Sequence, residues 1–257
     1  MKLRGLRFPT NPKILIAFLF MGLMNNLIPF SLIVAGQTEI SSGLASVLNA
    51  TTPLFAAVVA HFATKDPTER LGPKRISGII LGILGVSILL SPKIGNIGFS
   101  GGEVLGQIAI LGAGLSYGIA VVFGRRFAKE GITPVTAATG QVCASTILML
   151  PLIVVFDQPW TFLPQISQDA IFSVLSIAIF STAIAYILYF ELIKSAGATN
   201  ASLVTLIIPA SAMLLGVLFL DEIVTLTMIA GMVFIGLGLL VIDGRILRFL
   251  PKKKPGI

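Results

Sequence analysis

The feature that most constrains this chain is a series of eight apolar stretches, covering approximately residues 14–36, 42–63, 74–91, 103–123, 134–156, 169–192, 200–220 and 225–243. A helix needs about 20 apolar residues to cross a hydrocarbon core roughly 30 Å thick, and each stretch meets that length. The first opens after Asn11-Pro12, a turn signal that also marks a helix entry. Later breaks fall at Lys65-Asp66-Pro67, Ser91-Pro92, Gly131, the run from Asp157 to Gln168, Ser195 to Thr199, and Asp221-Glu222. Strand-like alternation is absent, which argues against a membrane β-barrel. With 55% hydrophobic and only 11% charged residues and a mean hydropathy of +0.98, the chain lacks the polar surface of a soluble domain, where about 25% of residues are charged. That excludes disorder, a secreted disulfide scaffold and almost any soluble enzyme. Cys143 is the only cysteine, so no internal disulfide and no cysteine-based zinc site can form. The expected fold is an all-α integral membrane protein with eight transmembrane helices.

The net charge of +7 is distributed in a way that fixes direction rather than suggesting nucleic acid. With the N-terminus on the cytoplasmic side, the inner segments hold Lys2, Arg4, Arg7, Lys13, Lys65, Arg70, Lys74, Arg75, Arg125, Arg126, Lys129, Lys194, Arg245, Arg248 and Lys252 to Lys254. Only Lys93 is left outside, the split that the positive-inside rule predicts. An even number of spans puts both termini in the cytoplasm. The tail Lys252-Lys253-Lys254 then holds the last helix and touches anionic headgroups, with protein docking as the lesser alternative. The first apolar run is too long for a signal peptide and has no small-residue cleavage site, which leaves a cell membrane as the default location.

An internal repeat follows from shifting the chain on itself. A shift of 156 residues lays Ala45-Ser46 on Ala201-Ser202, Pro53 on Pro209 and Asp66 on Glu222. After a three-residue gap, a shift of 153 lays Gly78 on Gly231 and Leu84-Gly85 on Leu237-Gly238. The offset spans five helices, an odd number, so helices one to three match helices six to eight in the opposite membrane orientation. Inverted structural repeats of this kind let a carrier open alternately to its two sides, around a site where the halves meet.

The stretches Asn25-Asn26-Leu27-Ile28-Pro29-Phe30-Ser31, Gly36-Gln37-Thr38-Glu39 and Gly43 to Phe55, with Ala196-Gly197-Ala198-Thr199-Asn200, Pro209 and Asp221-Glu222 later on, resemble the EamA-like transporters of the drug/metabolite transporter superfamily. The resemblance covers essentially the whole chain. It implies ten helices in two inverted five-helix repeats, and a function in the export of small metabolites. The first helix here matches the family's third, so the first two are expected to be missing. Either the chain is a fragment, which is the favoured reading, or it is a true eight-helix variant. The implied domains are a first, N-terminally incomplete EamA repeat over 1–92, a second over 101–243, and a basic cytoplasmic tail over 244–257.

Candidate site residues are the polar groups at mid-membrane depth, because polar side chains in lipid are costly unless they face partners or water. They are Asn25 and Asn26 in helix one, Asn49 in helix two and Gln141 in helix five, followed by Tyr186 in helix six and Thr205 in helix seven. A proline cannot donate to the carbonyl four residues earlier. Pro29, Pro53 and Pro209 therefore release the carbonyls of Asn25, Asn49 and Thr205, which are expected to present backbone and side-chain hydrogen bonds to substrate or water, and Pro53 and Pro209 are expected to interrupt their helices at corresponding positions of the two halves. The bland alternative is that these are ordinary kinks, with Asn and Thr gluing neighbouring helices by roughly 1 kcal/mol each. Ser181-Thr182 falls at the centre of helix six, and Tyr117 is a second aromatic candidate. Tyr189 and Trp160 read as interfacial residues.

Ionisable groups within the spans are few. His61 and Glu191 lie near cytoplasmic ends, where they can snorkel, and Glu39 reads as a cap for the helix that follows it. No carboxylate lies at mid-depth, so coupling to protons or sodium and facilitated exchange stay equally open. Gly78-xxx-Gly82, Gly102-xxx-Gly106 and Gly114-xxx-Gly118 are expected to pack helices within the bundle, with a homodimer face as the alternative. No phosphate loop, catalytic carboxylate pair or metal motif is present, so neither cofactor nor metal is expected. The expected partners are a small-molecule substrate and the lipid bilayer, not nucleic acid. The function expected is transport, in the direction of export, of a small metabolite or drug-like molecule by alternating access. A channel or a non-transporting membrane assembly factor is the alternative, and an enzyme is not expected.

Overall fold

In a computed structural model, residues 8–63, 71–94, 101–161, 166–185, 188 and 204–243 can be described. Tyr186, Tyr189, Glu191, the 195–203 segment, Asp66 and the basic tail lie outside these residues. Every described element is helical or a turn, with no strand.

The helices begin where side chains can satisfy their first amides. Asn11 accepts from the Lys13 N–H at 3.0 Å ahead of α1 (Pro12–Gly22). The chain then widens into a π turn, Leu23–Leu27, before α2 (Ile28–Gln37). Ser41 caps α3 (Ser42–Asn49), and after a two-residue break α4 (Thr52–Ala63) follows. α5 (Pro73–Ile94) and the long α6 (Gly102–Lys129) come next. Gly131, with φ of +70°, closes α6: the Ile132 N–H reaches the Phe127 carbonyl and the Gly131 N–H reaches that of Ala128. This is the Schellman arrangement that favours glycine. Thr133 and Pro134 then open α7 (Pro134–Leu152), which runs on into a π turn at Ile153–Asp157. Ser167 caps α8 (Gln168–Ser176), which continues as a π stretch over Ile177–Ile184. α9 (Val204–Leu220) and α10 (Leu226–Asp243) complete the described chain.

Four continuous runs among the described residues are long and apolar enough to cross a membrane, namely Pro12–Gln37, Ser42–Ala63, Gly102–Lys129 and Pro134–Phe156. Shorter apolar helices at Gln168–Thr182, Ile207–Leu220 and Leu226–Ile242, together with the 22 residues of α5, occupy the remaining expected spans. One expectation fails. Pro209 lies inside α9 without interrupting it, so only Pro53 marks a break in the regular α-helical path at that repeat position. The loss of a single amide donor is tolerated in a membrane helix when the flanking turns keep their own bonds.

The chain divides into two compact units, one formed by Met1–Leu27 with Gly124–Val204 and the other by Ile28–Phe123 with Thr205–Ile257. In the first, Ala17, Phe18, Met21, Phe127 and Ala144 are buried, and the Phe18 and Phe127 rings lie 5.2 Å apart. In the second, the core joins Val47, Leu48, Leu54, Leu89, Ile110, Met213, Ile235 and Leu239. Here α5 and α10 pack antiparallel through glycines. A Cβ on Gly78 would stand 2.6 Å from the Gly238 carbonyl oxygen, one on Gly238 2.5 Å from that of Gly78, and one on Gly85 2.9 Å from that of Gly231. Likewise α2 meets α6 through Gly36 and Gly106, each of whose missing Cβ would stand 2.9 Å from the other's carbonyl oxygen. The small residues are thus occupied inside the bundle, where lipid provides no hydrophobic drive and close van der Waals packing holds helices together.

Candidate functional site

Asn25 and Asn26 both lie in the π turn, near the middle of the 26-residue run Pro12–Gln37. One turn earlier, Gly22 lets α1 approach α7 closely, since a Cβ there would lie 2.7 Å from the Ser145 nitrogen and 3.0 Å from the Gln141 carbonyl oxygen. That approach brings Gln141, itself buried, within reach. The Asn25 side-chain amide donates to Gln141 Oε1 at 3.2 Å. Asn26 is 7% exposed and its Oδ1 is buried with no hydrogen-bond partner. An unmet acceptor of this kind costs about 1–3 kcal/mol. Three of the candidates named from the sequence therefore converge in the first unit, with one acceptor open.

The break at Pro53 behaves differently. The Asn49 carbonyl that Pro53 leaves without a backbone donor accepts the Thr52 hydroxyl at 2.8 Å, and the Leu48 carbonyl accepts the Thr51 hydroxyl at 2.6 Å. The backbone at this break is closed locally, which corrects the expectation that it would be presented to a substrate. What stays open at Asn49 is the side-chain Oδ1, buried and without a partner. The backbone of Thr205 lies in the first turn of α9, while its side chain and the whole of Tyr186 lie outside the described residues. Tyr117 is half-buried on α6. Thr146 and Thr182 turn their hydroxyls back onto the carbonyls of Val142 and Ile177.

The ionisable residues take structural positions that the sequence reading did not place. Glu222, beyond the end of α9, reaches the start of α3. Its Oε1 accepts the Ser42 N–H and hydroxyl, both at 2.7 Å, and its Oε2 accepts the Gly43 N–H at 3.0 Å. Burial works to raise its pKa, but the Ser42 hydroxyl and the two backbone amides outweigh it and hold the carboxyl below its ordinary value. Glu39 is therefore not the cap of α3. Its carboxylate lies over Gly102 at the start of α6, where a Cβ would collide with it. A carboxylate at a helix N-terminus is favoured by the helix dipole. His61 accepts the Leu71 N–H on Nδ1 at 3.2 Å and meets the Phe62 ring edge-on, so it ties down the chain after α4.

Residues 2–91 and 104–243 match the EamA-like transporter family. The chain belongs to that family. As a member it is a multi-pass membrane protein of the transporter class. It is 26% identical over 227 residues to the "Uncharacterized transporter YoaV" of Bacillus subtilis, covering 87% of this chain and 74% of that protein. It is also 26% identical over 213 residues to an "Uncharacterized transporter" of Archaeoglobus fulgidus, covering 80% and 70%. A shorter similarity, 29% over 96 residues, links it to the "Aromatic amino acid exporter YddG" of Ancylobacter novellus, covering 35% of this chain and 33% of that protein. A solved crystal structure shares the fold with a TM-score of 0.58 at 17% identity, covering 98% of this chain and 83% of the other.

Proposed function

We propose that this family member exports a small metabolite or drug-like molecule across the cell membrane by alternating access, with both termini cytoplasmic and no catalytic step. The observation that carries the mechanism is the α5–α10 contact. Under the repeat, Gly78 corresponds to Gly231 and Gly85 to Gly238. The pairs in contact are Gly78 with Gly238 and Gly85 with Gly231. Exchanging the repeats turns one pair into the other, as an isologous contact across a two-fold axis requires. Because the helices are antiparallel, that axis lies across them, in the plane of the membrane, the relation expected of inverted repeats. The two stretches matching the family, 2–91 and 104–243, lie close to the proposed repeats at 1–92 and 101–243.

Within this reading the substrate site lies in the first unit at Asn25, Asn26 and Gln141, with the unpartnered Oδ1 of Asn26 as the acceptor that a substrate N–H or O–H fills, and Asn49 offers its own unpartnered Oδ1 as a separate acceptor in the second unit. The relative named as an aromatic amino acid exporter makes amino acids the first solutes to test. The deciding experiment reconstitutes the chain in vesicles and measures solute flux. Saturable flux that falls at least tenfold in Asn26→Ala and Gln141→Ala, with unchanged thermal stability, is the expected result. Non-saturating flux would indicate a channel, and flux indifferent to both substitutions would remove the site.

A further inference from the structure

The π turn at Leu23–Leu27 holds two identical carboxamides side by side in unequal surroundings. Asn25 is half-buried and donates to Gln141 Oε1 at 3.2 Å, whereas Asn26 is buried and its Oδ1 has no hydrogen-bond partner. Successive residues of a helix point about 100° apart, so Gln141 on α7 takes one member of the pair at a time. One carboxamide is therefore paired and the other is left at the cost of a buried acceptor unmet.

A π turn closes its hydrogen bonds over five residues instead of four, and so holds one residue more than the α-helix around it. That extra residue can migrate along a helix while the segments beyond the step, on either side, keep their places. A short step toward α1 would advance Met24, Asn25 and Asn26 each into the place of the residue before it. Asn26 would then stand where Asn25 stood, facing Gln141, and Asn25 would take the half-buried place of Met24. The bond to Gln141 is made in both registers by the same chemical group, and the second register also brings Asn26 out of its buried place. The other exchange, of Met24 for Leu23, is between side chains of similar volume at half-buried positions and costs little. Gly22, at the head of the step, has the backbone freedom that the change requires. Membrane helices re-satisfy backbone groups through local π adjustments of this kind.

We infer that Asn25 and Asn26 alternate as the partner of Gln141 through a one-residue migration of the π turn. The switch concerns residues of the first unit alone and is independent of the transport reading. Its use as the step that changes which hydrogen bonds a substrate meets rests on that reading. Helix register shifts occur in microseconds to milliseconds, the range in which conformational steps set turnover.

The test is a double-mutant cycle read by thermal unfolding of the full chain in lipid nanodiscs, because a cycle cancels what each leucine does by itself. In an Asn25→Leu background, Gln141→Leu is made with Asn26 present and again with Asn26→Leu. The expected result is that Gln141→Leu lowers the melting temperature by at least about 2 °C more when Asn26 is present, because Asn26 has taken over the bond. Equal shifts with and without Asn26, or an Asn25→Leu protein that does not fold, would make Asn25 the fixed partner and overturn the inference. Deletion of Leu23 tests the migration itself, since it removes the extra residue ahead of the pair and sets the second register permanently. In a folded deletion protein Gln141 is expected to couple to Asn26 and not to Asn25, and coupling to Asn25 there overturns the migration. A deletion protein that does not fold means that the helix cannot adopt the second register, which overturns it as well. Vesicle flux read separately keeps the two ideas apart. A parent that carries no solute removes the transport reading and leaves the switch to the cycle, whereas a transporting parent with undiminished flux in the deletion protein removes the switch from the transport mechanism.

Discussion

Two prolines remove the same backbone donor in this chain and lead to opposite results. Ahead of Pro29 the helix widens into a π turn that carries Asn25 and Asn26, and a side chain from α7 pairs with only one of them. At Pro53 the helix stops for two residues, and the hydroxyls of Thr51 and Thr52 fold back at once onto the carbonyls of Leu48 and Asn49. A proline frees an acceptor, and the residues within one turn decide whether it stays free. Hydroxyls close the gap from inside, whereas carboxamides on the widened turn reach outward to a second helix or stay unmet. The first arrangement makes a stable bend, and the second leaves a buried acceptor unmet, where any hydrogen bond it gains is worth more than in water.

The largest expected effect comes from breaking the open arrangement at its support. Gly22→Val inserts a branched side chain where even a Cβ would stand 2.7 Å from a backbone nitrogen of α7. Backbone cannot yield as a flexible side-chain tip would, so α1 and α7 must separate, and overpacking of this kind costs typically 1–3 kcal/mol or more. The separation also parts Asn25 from Gln141. Flux is expected to fall below one tenth, with a clear drop in melting temperature. Normal flux in Gly22→Val would mean that the pairing of Asn25 with Gln141 has no part in transport.

Next in size is the clamp on α3, the eight-residue helix that ends at the Pro53 break. Glu222→Gln removes the charge from a group taking three hydrogen bonds at the helix start, at a cost of about 1–2 kcal/mol. Because the folded pKa lies below the unfolded one, the clamp's contribution is fully present above the unfolded value and disappears as pH falls through the folded one. Thermal unfolding of the two proteins should therefore differ near neutral pH and converge in acid, below the ordinary glutamate range of roughly 4. A gap that stays constant with pH would show that the carboxylate's charge is not what stabilises the helix start.

How much of this could be read from the chain depends on the range of the physics involved. The spans were legible because length and apolarity are local properties, and so were several starts, since Asn11-Pro12 carries its own cap signal. The prolines pointed to places where hydrogen bonding must change, and Asn25, Asn26 and Gln141 were legible as costly polar groups at depth. The π turn was not, because nothing within Leu23-Met24-Asn25-Asn26-Leu27 distinguishes five-residue from four-residue spacing until Pro29 and the packing of α7 act together. The roles of Glu39 and Glu222 were hidden for a related reason. Both sit at helix starts, but Glu222 reaches one 180 residues away in sequence, so adjacency misassigned the cap of α3 to Glu39.

The smallest effect tests the closed arrangement directly. Thr52→Val keeps the shape of the side chain and deletes the hydroxyl that reaches the Asn49 carbonyl at 2.8 Å. Hydrogen bonds within membrane bundles average about 0.6 kcal/mol, so the loss in stability should be near that value, and the bend itself should persist because Pro53 is unchanged. Flux is expected to stay within twofold of the parent, since the substrate acceptor assigned to Asn49 is its side-chain oxygen and not its carbonyl. A large loss of flux in Thr52→Val with intact stability would reverse that assignment. It would make the Pro53 break a substrate contact like the π turn, and the contrast between the two prolines would then rest on side-chain chemistry rather than on which acceptors stay free.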